Sequence, residues 1–424
     1  MEFNKFKLKE LLQVNPRMTL KKGSKAKKIA MENIKEFQKK IDNFTIEEFK
    51  SGSKFQNGDT LLARITPCLE NGKTAYVDIL EDEEIAFGST EFFVLRPIDN
   101  KLDSQFLYYL FRTKKIREVI IKSMTGTSGR QRAQKDAILE YECEIPTIEY
   151  QRKIAIILKN LDDKIEINKK TIANLEELSQ TLFKRWFVDF EFPDENGAPY
   201  KANGGEMTNS ELGEIPKVWR VETLEKLGSI IGGGTPSKKN KEYYTNNGIP
   251  WITPKDLSKN RNIYISHGEN DISELGLNKS SAKLLEKNSV LFSSRAPIGY
   301  IAINNIPVTT NQGFKSIVPN EEMNPYFIYF ILKNITPLIE QTASGSTFKE
   351  ISAKGMKSIK IVFPSIELIK QYGNIVKKYF KEINFLENQN IKLIELRDTL
   401  LPKLMSGEIE IPDDVEVNTD ELSI

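Results

Sequence analysis

The sequence predicts an α+β protein: two mixed α/β globular domains in a pseudo-two-fold arrangement, separated by two long antiparallel coiled-coil helices. Three observations predict it. The chain repeats itself, each copy ends in a long heptad-patterned segment, and the residues ahead of that segment mix short β-like runs with turns. At 424 residues and 39% hydrophobic, the chain has room for two or three cores. No stretch of it approaches the roughly 18–20 apolar residues that span a bilayer. The start, MEFNKFKLKELL, lacks a signal-peptide core, and two cysteines (Cys68 and Cys143) suit a reducing compartment, so a bacterial or archaeal cytoplasm is the expected location.

The repeat is clearest at the end of each copy. Ile145–Phe187 aligns with Phe363–Met405 without a gap at an offset of 218, placing Pro146 on Pro364, Ile165 on Ile383, Leu175 on Leu393 and Leu182 on Leu400. Upstream, NGDTLLARITP (Asn57–Pro67) matches KNSVLFSSRAP (Lys287–Pro297), and FGSTEFFVLRP (Phe87–Pro97) matches TTNQGFKSIVP (Thr309–Pro319). FLYYL (Phe106–Leu110) matches FIYFI (Phe327–Ile331), and GTSGRQR (Gly126–Arg132) matches SGSTFKE (Ser344–Glu350). A solenoid needs three or more short repeats; two long copies mean a duplicated domain. The expected boundaries are 1–147 for the first globular domain and 148–190 for its helix, then a linker over 191–217. The second domain follows at 218–365, its helix at 366–408 and an acidic tail at 409–424. The linker is assigned because it is rich in Gly, Pro, Asn and Glu and has no apolar period.

In the first helix Ile154, Leu158, Leu161, Ile165, Ile172, Leu175, Leu182 and Trp186 make the alternating three-and-four step of a heptad seam. Val376, Tyr379, Ile383, Leu386, Leu393, Leu400 and Leu404 do so in the second, where Gly373 and Pro402 threaten a bend or a late start. About 37 residues at roughly 1.5 Å each give about 55 Å, long for a core helix in a domain of this size. Each seam has one polar slot, Asn168 and Asn390, and antiparallel packing about a pseudo-two-fold midpoint would set these two opposite one another.

The globular halves carry three kinds of polar loop. The first is basic: KKGSKAKK (Lys21–Lys28), with Lys21, Lys22 and Lys25 as candidate phosphate contacts, and GGGTPSKKNK (Gly232–Lys241), with Thr235, Ser237, Lys238 and Lys239; Lys255 lies just beyond. The second is the step from strand to loop: Arg64, Thr66, Asn71, Lys73 and Thr74 in one copy, Ser293, Ser294 and Arg295 in the other, with Asn311 and Gln312 as further candidates. Arg reads guanine edges and Asn or Gln reads adenine. The third is TGTSGRQRAQK against ASGSTFKE: small-residue turns followed by long polar side chains. They offer Thr127, Ser128, Arg130, Gln131 and Arg132 in one copy and Ser344, Ser346, Thr347 and Lys349 in the other. Solvated charge runs and Ser/Thr-capped helix starts are the plain alternatives for these loops.

Catalytic equipment is scarce. The net charge is +2 and the single histidine is His267, so acid–base and transition-metal chemistry lack their usual residue. NPYF (Asn324–Phe327) lacks the second proline of an amino-methyl loop, and NGKT (Asn71–Thr74) has Pro67 where a P-loop needs its first glycine. IIGGGTPS lacks the strand-turn-helix setting of a dinucleotide site, and PDENGAPYK (Pro193–Lys201) is a Pro-Asp start in the expected linker.

Two divergent halves, each followed by a well-matched long helix, together resemble the specificity subunit of type I restriction-modification enzymes. Local strings carry the resemblance in order along the chain: IPTIEYQRKI, FKRWFVDF, SELGEIPKVW (Ser210–Trp219), GGGTPSKKN with IPWITPKDL (Ile249–Leu257), and LLPKLMSGEI (Leu400–Ile409). The first half lacks a SELGEIP-like lead. The resemblance implies that the halves are target recognition domains for a bipartite, asymmetric site in double-stranded DNA, and that the helices set the spacer. It implies docking of two modification subunits, N6-adenine methyltransferases, and of ATP-dependent restriction subunits. Leu161, Ile165, Leu175, Leu182, Trp186, Ile383, Leu393, Leu400 and Leu404 are the expected partner-binding residues. This chain would be non-catalytic and bind no cofactor or metal, its partners using S-adenosylmethionine, ATP and magnesium. A coiled-coil scaffold or RNA-binding adaptor, and a fused methyltransferase-nuclease recognition chain, remain as alternatives.

Overall fold

A computed structural model describes residues 2–127, 129–345 and 349–412. Ser128, Ser346 and Thr347 among the candidate site residues, and 413–424 of the expected tail, lie outside the described residues. The chain divides into two compact units, Met1–Ile167 with Ile391–Ile424, and Asn168–Asn390. Neither unit is one copy of the repeat: each joins a globular copy to part of both long helices, Ile148–Phe187 and Ile366–Ser406.

In the first unit an antiparallel sheet runs in the order Leu12–Val14, Phe92–Pro97, Thr60–Ala63, Thr74–Tyr76. A second sheet runs Thr45–Glu48, Lys25–Ile29, Ala86–Gly88, Ser53–Phe55, and the chain start Phe3–Lys7 pairs with Glu142–Pro146. The strand EFFVLRP is apolar at successive positions because both of its faces are covered. Phe92 and Val94 enter a core with Phe55 and Leu61, while Phe93 and Leu95 enter another with Leu62 and Phe106. The helix expected over FLYYLFRTKKIREVI is two, Ser104–Arg112 and Lys114–Lys122, parted at extended Thr113. The long helices add Ile154, Leu158, Leu401 and Leu404 to the Phe106 core. They run antiparallel here: Tyr150 Oη accepts from Ile411 N–H, and Arg397 pairs with Asp162 at 2.6 Å. Gln151, 1% exposed, ties the helix start down by donating to the Pro146 and Lys101 carbonyls and accepting from Asp103 N–H.

The second unit repeats the plan with different surface residues. A five-stranded sheet runs Gly228–Gly232, Lys315–Pro319, Val290–Ser294, Ile298–Asn304, Tyr264–Ile265. A four-stranded sheet runs Tyr244–Thr245, Asn270–Ile272, Ile249–Ile252, Thr309–Thr310, and Arg220–Thr223 pairs with Lys360–Phe363. The helix Pro325–Thr342 continues through Pro337. The helix seam is as its period predicts: Asn168 donates to Asn390 Oδ1 at 2.9 Å and to Gln389 Oε1 at 2.8 Å, and Tyr372 donates to the Ser179 carbonyl, again an antiparallel order. Gly373 and Pro402 lie within the uninterrupted helix Ile366–Ser406, whose start is not delayed.

Residues 191–217 differ from the expected linker. They hold a hairpin, Met207–Ser210 with Gly213–Pro216, and Phe192 stacks on Tyr200 and Trp219 at 4.6 and 5.0 Å. The segment is ordered by aromatic contacts spread too far apart in sequence to show as a period.

Candidate nucleic-acid interface

The strand Thr60–Ala63 delivers Arg64 to the foot of an exposed loop. Arg64 carbonyl accepts from Ala133 N–H at 2.8 Å, and Thr66 N–H donates to the Gln131 carbonyl at 3.0 Å. The loop is closed by two mutual backbone bonds between Thr125 and Arg132. Arg64, Thr66, Gln131 and Arg132 are therefore neighbours, with Thr127 and Arg130 exposed on the loop above. Glu91 holds the group together. Arg132 binds its carboxylate in a fork, Nη2 to Oε1 at 2.7 Å and Nε to Oε2 at 2.9 Å. Arg64 Nε is buried without a hydrogen-bond partner among the described residues, 3.7 Å from Glu91 Oε2, its guanidinium 5.2 Å above Phe93. The bonds from Arg132 keep the Glu91 carboxyl below its ordinary range.

The second copy builds the same foot from other residues. Ser294 N–H donates to Gly313 O and Ser294 O accepts from Ile351 N–H, while Ser344 and Glu350 exchange the closing pair of bonds. Here the carboxylate is Glu350, 3.3 Å from Arg295 Nη1 and 3.3 Å from Lys315 Nζ. Asn311 accepts from Gly313 N–H, and Gln312 meets Thr235 side chain to side chain. Ser344 and Lys349 are exposed beside this foot.

Other candidates stand apart from these feet or inside the fold. Lys21, Lys22 and Lys25 are exposed around a turn where Gly23 has φ +84°, a conformation that favours glycine. Ser237, Lys238 and Lys239 are exposed on the second basic loop. The glycines ahead of them serve the protein's own packing: a Cβ on Gly233 would lie 2.1 Å from Asn311 O, and one on Gly234 2.4 Å from Ala282 N. Lys73 donates to the Met31 carbonyl and Lys255 pairs with Glu269, so both amines are already engaged. Ser294 is fully buried, and its hydroxyl donates to Gly313 O, an anchor within the sheet rather than a surface reader. Glu91, Glu350 and Lys315 were missed by sequence reasoning, which looked for cations on loops; the signal available was only an acid near each loop in the repeat alignment.

Most of the expected partner-binding residues pack within the chain. Ile165, Trp186, Ile383 and Leu404 are buried, and Leu175, Leu182 and Leu400 pack on the cores; Leu161 and Leu393 are half-buried. A heptad seam selects what faces the sister helix. Apolar side chains left exposed on the helices are Ile167, Ile391, Ile394 and Leu396 in the first unit and Leu178, Ile375 and Phe385 in the second.

A family model described as the type I restriction modification DNA specificity domain matches residues 1–177 and 216–396. The chain is 30% identical over 409 residues to the HindI specificity subunit of Haemophilus influenzae, across 84% of this chain and 87% of that protein. It is 39% identical over 186 residues to the MjaIX specificity subunit of Methanocaldococcus jannaschii, 43% of this chain and 42% of the other. The S subunit of a type I restriction-modification system from M. genitalium has a similar fold, with a TM-score of 0.58 over 95% of this chain and 96% of that one, at 19% identity. No helix among the described residues is long and apolar enough to cross a membrane.

Proposed function

Because this chain belongs to the type I restriction-modification DNA specificity family and carries two of its DNA-recognition domains, we propose that it reads a bipartite, asymmetric duplex target, one half-site per globular copy. The observation that carries this reading is the loop foot that occurs once in each copy. Each has the same backbone plan and a different set of side chains, as two different half-sites require. Exposed lysines on the basic loops neutralise phosphates and set register, while Arg, Gln and Thr side chains at each foot meet base edges.

The chain itself is proposed to be non-catalytic and to bind no cofactor. It has one histidine, His267, which is exposed and 3.9 Å from Asp271. Two modification subunits, using S-adenosylmethionine for N6-adenine methylation, and restriction subunits using ATP and magnesium, would dock on the long helices. Their exposed apolar side chains supply contact area that a partner can cover.

Mapping methylated adenines across the genome of a host that carries this chain with its modification subunit tests the reading. A motif of two short blocks around an unread spacer is expected, and exchanging residues 1–147 for those of another family member should replace one block only. A contiguous motif, or replacement of both blocks, refutes it.

A further inference from the structure

We propose that Glu91 and Glu350 are positioning residues that enforce base discrimination, each holding two cations at a loop foot in check until the correct half-site is met. The inference rests on the DNA-reading function proposed above and goes beyond it by assigning a role to acids in a surface that must approach a polyanion.

The two feet have one charge pattern and share none of the residues that make it. In the first copy the cations stand at Arg64 and Arg132 and the acid at Glu91. In the second, Ser294 occupies the place of Arg64, Gly313 that of Glu91 and Glu350 that of Arg132, as their backbone bonds show. The cations there are Arg295 and Lys315, the latter standing where Phe93 stands in the first copy. The acid has thus moved from the turn to the loop, and the cations have moved around it. The sum survives: two positive charges and one negative, a net charge of +1 at each foot. Random solvated ion pairs give no reason for two diverged copies to rebuild this combination at one place.

Physics supplies a reason. These groups are partly exposed, with side-chain exposures of 23% for Glu91 and 37% for Glu350, so the pairs add little to stability. They do restrict where a guanidinium points, and a forked carboxylate fixes its plane. They also lower the pull of each foot on any phosphate, which is the part of DNA affinity that carries no sequence information. A cation released from its acid would bind backbone wherever it met it. A cation held by its acid gains only when a base edge presents acceptors in the held geometry.

The test is adenine-methylation mapping in a host carrying the modification subunit with wild-type, E91Q, E91D or E350Q chain. Glutamine keeps the shape and removes the charge. Discrimination against one mismatched base pair, ordinarily on the order of tenfold or more, should fall several-fold. In E91Q it should fall in the first copy's half-site alone, with the other half-site read as strictly as before. E350Q should show the converse, and E91D should retain wild-type stringency. In the purified assembly, the logarithmic salt dependence of binding to a duplex lacking the motif should steepen by about one in each glutamine variant. Wild-type stringency in both glutamine variants would overturn the inference. So would a proportional loss of methylation at every site without relaxation, which would mark the acids as struts. If the wild-type chain itself yields no two-block motif, the proposed function fails; a two-block motif with unrelaxed variants fails this inference alone.

Discussion

Lys39 is 3% exposed, with its ammonium 5.1 to 5.8 Å from the ring centroids of Tyr76, Tyr108 and Tyr109. Its hydrogen bond, to Tyr109 Oη at 3.4 Å, is long, and burial pushes the amine down to about 8. The unfolded chain then holds more protons than the folded one between pH 8 and the ordinary 10.5. Stability should therefore rise as pH climbs through that window, recovering on the order of 3 kcal/mol. Lys39→Met should abolish the rise in urea denaturation series. Glu387 has the opposite sign. Burial pushes its carboxyl up to about 7 even though the carboxylate accepts N–H bonds from Ile263 and Tyr264 at 2.6 and 3.0 Å. The folded state there holds the extra proton, so this group's contribution should fall as pH rises from 4.5 to 7 and stay low above it. Glu387→Gln should flatten that part of the profile. Neither site was legible in the sequence, because a lysine or glutamate is buried by neighbours that are distant in the chain. Arg132 can be singled out locally, as a long cation after a small-residue turn, and Arg64 and Arg295 as cations at the end of a strand. Their acids cannot be, since nothing local marks a glutamate as a partner.

At the scale of elements, the long helices were read correctly because a heptad period is a local property of the chain. The Asn168–Asn390 pair follows from that period plus antiparallel packing, and both residues are at most 8% exposed. Asn168→Leu should cost about 1–3 kcal/mol, since it strands the Asn390 and Gln389 acceptors inside the seam. Asn168→Leu with Asn390→Leu should recover most of that loss and weaken the choice of register. Denaturant midpoints report the first effect, and cysteine cross-linking along the seam reports the second. The hairpin in 191–217 was illegible for the complementary reason. The residues flanking it pack through aromatic contacts, Trp219 meeting Phe187, Phe190 and Phe192 at 5.0 to 6.0 Å, that no periodicity encodes.

At the scale of the whole molecule, the duplication was legible because the helical segments diverged little, whereas the division of the helices between units was not. Inserting seven residues after Ile167 and seven after Asn390 keeps each seam in phase. If the helices set the spacer, this should lengthen it by about three base pairs and leave both half-sites unchanged in methylation maps; altered half-sites would exclude a spacing role. The shared helices also bear on ancestry. The Phe106 core is completed by Leu401, Leu404 and Ile411, far downstream, and the Phe327 core by Phe183, Trp186 and Phe187 from the helix that follows the other copy. A polypeptide of half this length would leave one core open and one greasy helix end bare, and a twin molecule would mend both faults by reciprocal exchange. Tandem fusion of such twins would then have freed each copy to diverge on its own.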